Sequence, residues 1–394
     1  MTLTVLTDDQ IRALLENLTV AELEGFSGAL ASALHEYSTG TQGGTATHQP
    51  ERISVHSTAT GATTLFMPSH NSTGNGIKVI TLTSPAASSS PTPPKPTIRP
   101  TGAITLFTPQ GTPLGLLHAS TLTAFRTALA SHALVQQRTA PLKTLVVFGC
   151  GEQAYWHVRL TLLTRGAEVG RVVFVNRRRR EGSSTSYTEV VARLTTTALA
   201  TAQQGQGQGC CEFGVLARED EGYDRKLGEV LREADVVFCC TPSTEPLFDA
   251  GVWEEEEAKK KGRLVVAIGS YTPEMREVRG ELVRQAIRGG GEREAGVVVV
   301  DTIEGALKEA GELIAVGVRP EQLVELGELV IPETAAHSHD SQAGATKRDK
   351  LAQWLQTGNV IYKSVGLGLM DLSIGMHIVK YAQEKGVGTQ VQGF

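Results

Sequence analysis

The sequence predicts an α/β protein with a doubly wound parallel sheet and a second, α+β domain built from both chain ends. A glycine turn at residues 149–151 lies between an apolar run and a helical segment. Short apolar runs then alternate with helical patterns to about Val300, as in a Rossmann domain. Strand and helix patterns outside this alternation occupy both ends. We expect the Rossmann domain over residues 137–334 and the second domain over residues 1–136 and 335–394.

Composition limits the class of protein. The chain has 394 residues, 40% of them hydrophobic, which is enough for two cores. Its net charge of −5 predicts no nucleic-acid partner. No apolar run approaches the ~20 residues that cross a bilayer, and the start MTLTVLTDDQ lacks a signal pattern. Five cysteines, four of them in adjacent pairs, suit reduced thiols. We expect a soluble cytoplasmic protein with no membrane partner.

The amino-terminal part contains helices followed by strands. Thr7 is expected to begin one helix, and Thr19 with Glu22 forms a capping box for a second helix toward Tyr37. Gly/Thr-rich residues 38–49 and Ser/Pro-rich residues 84–100 are expected to be loops. Strands are predicted at 52–56, 63–67, 76–82, 103–107 and 114–117, and a helix at 121–133.

The glycine turn has the spacing of a dinucleotide site. Gly149 permits a tight turn after the strand, and Gly151 lets the backbone approach a pyrophosphate at the helix amino terminus. Ala154 provides the third small residue, which keeps the helix close to the strand. Glu152 and Gln153 complete the turn. The simpler interpretation is an ordinary strand-to-helix turn.

The next strand, Val172–Val175, indicates which cofactor binds. Asn176 and Arg177 follow it, where an NAD site usually has Asp or Glu for the ribose hydroxyl. A guanidinium group binds a 2′-phosphate through two hydrogen bonds, whereas a carboxylate repels it. NADP(H) is therefore the predicted cofactor. The outer arginines of the run 177–180 also fit a solvated loop or a nuclear-localisation-like patch.

Later apolar runs extend the predicted sheet. Loops at the carboxyl ends of parallel strands form the cofactor edge, which places Gly149–Gln153, Thr241–Thr244 and Gly269–Thr272 there. Thr241, Pro242 and Ser243 are expected near the ribose and nicotinamide, and Asp301 is expected to support that edge. Helices are predicted at 187–202 and 224–232, and a charged helix near 254–261. The sequence QQGQGQG is expected to be a low-complexity surface insertion. Strands are predicted near 213 and at 236–240, 264–268 and 297–300.

The carboxyl-terminal tail differs from the alternating part. A polar loop at 336–350 precedes a strand at 359–362 and an amphipathic helix at 367–385, which is expected to pack on the amino-terminal domain. His337, His339 and Asp340 have metal-like spacing. They lie in a Ser-containing loop without further ligand residues, so no metal site is predicted.

Seven segments together resemble the ornithine cyclodeaminase/μ-crystallin family. They occur in the family's order from about Arg52 to Ser373: MPSHNSTGNGIKVIT, LTAFRTALAS, VVFGCGEQA, ADVVFCCTPSTEPLF, AIGSYTPEMREV, VVVVDTIEGALKEAGELI and VIYKSVGLGLMDLS. The resemblance implies a homodimer whose subunit pairs an NAD(P)-binding Rossmann domain with a substrate and dimerisation domain. It implies chemistry at a carbon that carries nitrogen and a carboxylate. The Ser/Pro and Gly/Gln insertions resemble fungal proline-utilisation homologues.

The resemblance also implies active-site residues. Arg52 and Arg126 fall on the family's substrate-carboxylate arginines, and Lys78 falls on its active-site lysine. Tyr271 stands where bacterial cyclodeaminases have a catalytic Asp. That departure and the NADP-type strand end both resemble the μ-crystallin-like ketimine reductases. The leading hypothesis is therefore NADPH-dependent reduction of a cyclic ketimine carboxylate, with an imino or amino acid as the small-molecule partner. Alternatives are conversion of ornithine to proline and ammonia, and non-catalytic NADP(H) and small-ligand binding.

Overall fold

The chain forms two compact units. The computed structural model describes residues 2–40, 47–83, 98–178, 187–201, 211–254, 261–288, 296–330 and 351–394. The first unit comprises Met1–Thr127, Leu326–Ala336 and Gly366–Phe394, and the second comprises Ala128–Glu325 and His337–Val365. The predicted α/β fold class, with a parallel sheet and a second domain, is confirmed.

The first unit contains a seven-stranded sheet in the order β15-β1-β6-β5-β4-β3-β2. Neighbouring strands from β6 to β2 pair antiparallel, β1 pairs parallel with β6, and β15 pairs antiparallel with β1. The strands at the two chain ends were not predicted. The strands are β1 (Thr2–Leu6), β2 (Ile53–His56), β3 (Ala62–Asn71), β4 (Gly74–Thr83), β5 (Thr101–Phe107), β6 (Pro113–His118) and β15 (Thr389–Gln392).

Helices α1 (Asp8–Glu16) and α2 (Val20–Thr39) begin where predicted. The side chains of Thr7 and Thr19 each cap the third helical residue, and that residue's side chain caps the backbone in return. The tail helix α12 (Gly368–Glu384) packs on strands β3 to β6 and on α2, as predicted. Phe26 of α2 meets the rings of Phe125, His377 and Tyr381 at centroid distances of 5.5, 4.3 and 5.7 Å.

The second unit contains an eight-stranded sheet in the order β13-β12-β14-β11-β10-β7-β8-β9. Every neighbouring pair is parallel, so its inner strands are apolar on both faces. The strands are β7 (Thr144–Phe148), β8 (Arg171–Asn176), β9 (Glu212–Ala217), β10 (Val236–Cys239), β11 (Leu264–Ala267), β12 (Val298–Val300), β13 (Leu323–Glu325) and β14 (Val360–Lys363).

The order of the strands places a ligand crevice. The chain runs from β7 outward to β8 and β9, then returns to β10 on the opposite side of β7. A crevice at the carboxyl ends of β7 and β10 is where doubly wound sheets bind ligands. The loops that follow these strands are those selected from the sequence.

The domain boundaries of the structure differ from the predicted ones. Strand β14 was assigned to the substrate domain, but it pairs with β11 and β12 inside the parallel sheet. Its segment VIYK ends in a lysine and follows a polar stretch, so the sequence showed no Rossmann alternation there. The first boundary falls at Thr127 within a helix, α3 (Ala119–Gln137), rather than at residue 136.

The second unit also contains helices between its strands. They are α4 (Glu152–Arg165), α5 (Tyr187–Thr201), α6 (Tyr223–Glu233), α7 (Gly280–Arg288), α8 (Ile303–Glu309), α9 (Gly311–Val316) and α11 (residues 351–357). Helix α10 (Leu326–Leu329) belongs to the first unit. No helix in the described ranges is long and apolar enough to cross a membrane. The insertion QQGQGQG, most of the charged segment 254–261 and His337, His339 and Asp340 lie outside the described residues.

Candidate functional site

The glycine turn after β7 is closed against the loop that follows β10. Gly149 has a φ of +105°, a backbone conformation that favours glycine. Its amide donates to the carbonyl of Val175 at 3.0 Å. A Cβ atom at Gly149 would lie 2.8 Å from Thr241 Oγ1, so the turn has no room for a side chain.

The amino terminus of α4 can accept an anion. Gly151 precedes the helix in an extended conformation and supplies no side-chain cap, and a Cβ there would meet no described atom within 4 Å. Ala154 is fully buried and brings the helix close to the sheet. Exposed helix amides and the positive end of the helix dipole favour a phosphate at this position. The turn therefore fits a dinucleotide pyrophosphate.

Two polar side chains lie in the first turn of α4. Glu152 pairs with Arg193 at 3.2 Å, and the Arg193 guanidinium lies 3.6 Å above the Tyr155 ring. The negative charge of Glu152 is thereby balanced within the unit. Gln153 Oε1 is buried without a hydrogen-bond donor among the described residues, so it can accept a bond from a ligand.

The end of β8 presents arginines to solvent. Asn176 Nδ2 donates to Cys150 Sγ at 2.8 Å, which turns this side chain back toward the glycine turn. Burial raises the pKa of Cys150 to about 11, so its thiol stays neutral at physiological pH. Arg177 and Arg178 are exposed, whereas Arg179 and Arg180 lie outside the described residues.

A buried carboxylate joins the loops after β10 and β11. Glu277 accepts from the amides of Thr241 at 3.2 Å, Gly269 at 2.7 Å and Ser270 at 3.0 Å. A Cβ at Gly269 would lie 2.6 Å from the Thr241 carbonyl. The three loops predicted to form the cofactor edge therefore converge. Pro242 on the second loop is exposed.

Ser243 continues the loop after β10. Its hydroxyl donates to the Glu245 carbonyl at 2.6 Å, and its own carbonyl accepts from the Arg276 amide at 2.7 Å. The loop is thus tied to the segment that carries Glu277. This arrangement keeps the backbone of Thr241, Pro242 and Ser243 in one conformation.

Lys363 of β14 completes the buried network behind these loops. Its ammonium donates to the Ser270 carbonyl at 2.6 Å and lies 3.3 Å from Glu312 Oε1 and 3.9 Å from Glu277 Oε2. The Ser270 hydroxyl donates to the Glu312 carboxylate at 3.0 Å. Burial raises the pKa of Glu277 to about 8, an effect that Lys363 opposes and Glu312 reinforces.

Asp301 is held inside the second unit. Its carboxylate accepts from the Ser364 hydroxyl at 2.6 Å and from the Val365 amide at 3.1 and 3.2 Å. It also accepts from the amide of Thr302 at 3.0 Å. Because Ser364 and Val365 come from the segment after β14, Asp301 fixes the carboxyl end of β12 beside that segment.

A cationic cluster, formed by Lys78, Arg126 and Arg52, lies in the first unit, and its first two members contact Asp371. Lys78 of β4 and Arg126 of α3 are 3% and 4% exposed. Lys78 Nζ lies 2.6 Å from Asp371 Oδ2, and Arg126 Nε donates to Asp371 Oδ1 at 3.2 Å. Arg52, half-buried ahead of β2, is close enough for its charge to act on Lys78. The three predicted residues are therefore brought together.

The environment shifts the protonation of Lys78. Burial lowers its pKa to about 8 because desolvation disfavours the charged amine. The charge of Asp371 opposes this shift, while Arg126 and Arg52 add to it. An amine with a pKa near neutrality can exchange a proton with a bound molecule.

The terminal nitrogens of Arg126 lie close to Met370 and Gly366. One of them lies 3.4 Å from the sulfur of Met370, and thioether sulfur is a poor acceptor. A Cβ at Gly366 would lie 3.4 Å from the other. A carboxylate would satisfy this guanidinium fork far better than the thioether does.

Four buried charged residues of these networks were not predicted: Asp371, Glu277, Glu312 and Lys363. One signal for Asp371 was available, because it is the sole charged residue in the apolar stretch LGLMDLSIGM. A charge at that position needs buried partners. Glu277 and Lys363 stood beside other polar residues, so nothing marked them as buried.

Tyr271, which the sequence resemblance places at the position of a cyclodeaminase Asp, lies in the loop after β11. The residue is partly buried, and a phenol lacks the carboxylate that could act as a base at neutral pH. No group of three or more metal-ligating side chains is present in the described part of the chain.

The chain is similar in sequence to a known protein family and to several characterised reductases. Residues 11–206 match the model of the ornithine cyclodeaminase/mu-crystallin family. Delta(1)-pyrroline-2-carboxylate reductase of Bacillus cereus is 29% identical over 288 residues, 72% of this chain and 71% of the relative. Ketimine reductase mu-crystallin of Mus musculus is 26% identical over 272 residues, 68% of this chain and 66% of the relative. These matches confirm the resemblance seen in the sequence motifs.

A solved structure matches nearly the whole fold. It is Thermococcus litoralis Delta(1)-pyrroline-2-carboxylate reductase in complex with NADH and L-proline. The TM-score is 0.67 at 20% sequence identity, and the match covers 98% of this chain and 100% of that chain. At this identity the match establishes the common fold.

Proposed function

The chain is a relative of the ornithine cyclodeaminase/mu-crystallin family, and from this premise we propose that it reduces a cyclic ketimine carboxylate with NADPH. The observation that carries the proposal is the cationic cluster. Two almost fully buried cationic side chains, Lys78 and Arg126, contact Asp371, and the charge of Arg52 acts on Lys78. Such an excess of positive charge favours a bound anion. The product would be the corresponding cyclic amino acid.

The carboxylate of the substrate would bind the arginines. Arg126 directs one terminal nitrogen toward a weak sulfur acceptor, and Arg52 adds a second guanidinium near Lys78. Two-pronged binding of a carboxylate fixes the direction of the attached ring. The imine carbon and nitrogen, which adjoin the carboxylate, would then lie at a defined distance from Lys78.

Lys78 would supply the proton of the reaction. NADPH, when bound, supplies the hydride that adds to the imine carbon. The Lys78 ammonium gives its proton to the imine nitrogen, so that the C=N double bond becomes a CH–NH single bond. Lys78 is left as the neutral amine and takes a proton from solvent. Its pKa of about 8 suits both steps at neutral pH.

The preference for NADPH would come from the end of β8. Arg177 and Arg178 are exposed there, and Asn176 brings no negative charge to the ribose. These groups suit a 2′-phosphate, although the Thermococcus structure contains NADH. Glycines 149 and 151, with Glu152, Gln153 and Ala154, would surround the pyrophosphate. Thr241, Pro242 and Ser243 would border the nicotinamide ribose, with Asp301 in support.

The assembly we propose is a homodimer. Strand β2 is an edge of the first sheet, and its Ile53 and Val55 side chains are 61% and 52% exposed. An apolar edge strand favours pairing with another chain. Cys150, Cys211, Cys239 and Cys240 are free thiols, which agrees with the reducing cytoplasm as its location.

Cofactor oxidation tests the proposed reaction. Purified protein is mixed with NADPH or NADH and with five- or six-membered cyclic ketimine carboxylates at mildly acidic pH, and the nicotinamide absorbance is followed. We expect NADPH to be oxidised faster than NADH, with one ring size preferred. Ammonia release from ornithine without net loss of NADPH would instead identify a cyclodeaminase. Binding without turnover would identify a ligand-binding protein.

A further inference from the structure

Asp371 is a buried carboxylate in an apolar helix, and each of its oxygens meets a different cation. It lies in the first turn of α12 and is 1% exposed. Oδ2 lies 2.6 Å from the ammonium of Lys78, and Oδ1 accepts from Nε of Arg126 at 3.2 Å. A buried charge without partners is strongly unfavourable, so these contacts decide where all three side chains lie.

We propose that Asp371 is a positioning residue that keeps Lys78 protonated for transfer to the substrate nitrogen and orients Arg126 toward the substrate carboxylate. This inference rests on the proposed reductase function. Asp371 itself need not touch the substrate, because it acts through the two cations that it holds.

The charges around Lys78 explain why a carboxylate is needed. Arg126 faces it from α3 and Arg52 from the segment ahead of β2, and both disfavour a third positive charge. The residues opposite Lys78 on the neighbouring strands, Met67 and Ile104, are uncharged. Among the described groups acting on Lys78, Asp371 is thus the one that stabilises the ammonium form.

The same carboxylate orients Arg126. Asp371 binds the guanidinium through Nε, the nitrogen nearest the side-chain stem, so it leaves the two terminal nitrogens for another acceptor. Those nitrogens are the pair that binds a carboxylate end-on. Asp371 therefore fixes the plane of the guanidinium without occupying the positions that the substrate needs.

The start of α12 is itself fixed in the first unit. Gln49 Oε1 accepts from the Leu369 amide at 2.7 Å, and Gln49 Nε2 donates to the Pro68 carbonyl at 2.8 Å. The Ser373 hydroxyl donates to the Ala29 carbonyl at 2.8 Å. These bonds join the helix to strand β3, to helix α2 and to the segment that leads to Arg52. Asp371 is consequently presented from a rigid element.

The substitution Asp371→Asn tests the proposal, because it keeps the shape and removes the charge. At pH 6, where Lys78 keeps its proton in both proteins, we expect the variant to bind pyrrole-2-carboxylate at least threefold more tightly. At pH 8, we expect its kcat for the ketimine to fall at least fivefold. The alkaline limb of its rate profile should move at least one pH unit lower. A variant that was merely misfolded would bind the anion more weakly at every pH.

Two controls separate charge from structure. Asp371→Glu restores the negative charge and should recover part of the alkaline limb. Ser373→Ala removes a hydrogen bond from the same helix and should leave that limb in place. An unchanged limb in Asp371→Asn, or weaker anion binding at pH 6, would overturn the proposal.

A measurement without turnover separates this inference from the proposed function. Calorimetry of pyrrole-2-carboxylate binding at pH 8, in two buffers of different ionisation enthalpy, counts the protons taken up. We expect more uptake by Asp371→Asn, because its Lys78 begins as the neutral amine. Equal uptake, or none, in both proteins overturns the role of Asp371. Absence of ketimine turnover by the unmodified protein overturns the reductase function alone.

Discussion

At the residue scale, the chemistry depends on a few charges placed where water cannot stabilise them. Lys78 and Arg126 lie in surroundings where each would be unfavourable alone, and one carboxylate balances two cations. The remaining positive charge makes this region of the first unit selective for anions. Burying these charges lowers the stability of the folded protein but favours ligand binding, as is common at functional sites.

Arg126 provides the first test of the substrate site. The substitution Arg126→Ala should raise KM for the ketimine and lower kcat, because the carboxylate anchor also aligns the reacting carbon. A loss of about 100-fold in kcat/KM is expected for one charged hydrogen-bonding partner. NADPH affinity, measured by fluorescence titration, should not change. Arg126→Lys keeps the positive charge but lacks the two-pronged guanidinium. Its kcat/KM should lie between the values of the unmodified protein and of Arg126→Ala. Intact turnover by Arg126→Ala would show that the substrate binds elsewhere.

Arg177 provides the test of cofactor choice. Arg177→Ala should weaken NADPH binding by roughly 10- to 100-fold and leave NADH binding nearly unchanged, because only NADPH carries the 2′-phosphate. Arg171, at the opposite end of β8, is exposed in part and pairs with Glu233, so Arg171→Ala is a matched control. Equal losses for both cofactors in Arg177→Ala would contradict the phosphate assignment.

Residues that belong to a local pattern could be predicted from the sequence, whereas residues defined by distant contacts could not. Gly149, Gly151 and Ala154 could be predicted because a strand, a turn and a helix lie within one short stretch. Asp371 is 293 residues from Lys78 in the chain, and nothing local shows that the two side chains meet. Burial of a charge is a property of the folded unit, so it cannot be read from spacing alone.

At the element scale, the edge strand β13 of the parallel sheet was not predicted, whereas strands β7, β10 and β11 were the easiest to predict. They are buried on both faces and appear as short continuous apolar runs. The terminal strands β1 and β15 were not predicted, because among the described strands β15 pairs only with β1, and β1 pairs with β15 and with the distant strand β6. Strand β14 follows a long polar stretch, and only pairing with β11 and β12 places it in the second unit.

Two histidines buried between α3 and α4 should make stability depend on pH. Burial lowers the pKa of His132 and of His157 to about 4. The unfolded chain takes up their protons first as pH falls, so stability that is present above about 6.5 is lost toward pH 4. The loss is at most roughly 3 kcal/mol for each histidine.

Urea unfolding at several pH values measures this effect. His157 Nδ1 donates to the Gln153 carbonyl at 2.7 Å, and Nε2 lies 2.9 Å from the Ser131 hydroxyl. His157→Gln should therefore be less stable than the unmodified protein at pH 7.5 but show a smaller further loss at pH 5. His56, an exposed residue of β2, offers the control His56→Gln, which should not change the pH slope. If the unfolding free energy of His157→Gln fell with pH as steeply as that of the unmodified protein, His157 would not be a source of the pH dependence.

The loops at the cofactor edge depend on Glu277. Glu277→Gln keeps one acceptor oxygen but turns its amide nitrogen against the amide of Thr241 or against those of Gly269 and Ser270. We therefore expect a loss of about 2–3 kcal/mol in unfolding free energy and weaker NADPH binding. Chemical denaturation and cofactor titration measure the two effects. Glu274, exposed on the same loop, gives the control Glu274→Gln, which should alter neither quantity. Normal NADPH affinity in Glu277→Gln would show that the loops keep their form without this carboxylate.

At the scale of the whole molecule, the exposed edge of the first sheet predicts how the chain assembles. Ile53 and Val55 present apolar side chains on strand β2, which lacks a neighbour on one side among the described strands. Such an edge is an aggregation hazard unless another surface covers it. A second copy of the chain is the partner that we propose, and sedimentation equilibrium should give twice the mass of one chain.

Substitution of the edge strand tests the dimer. Val55→Lys should weaken self-association, because a charge on the apolar edge must be desolvated when the second copy binds. Leu116, an exposed apolar residue of the inner strand β6, provides the control Leu116→Lys, which should remain dimeric. Arg52 directly precedes β2, so a monomeric Val55→Lys should also show a raised KM for the ketimine while its NADPH affinity stays constant. A dimer that persists in Val55→Lys would place the interface on another surface.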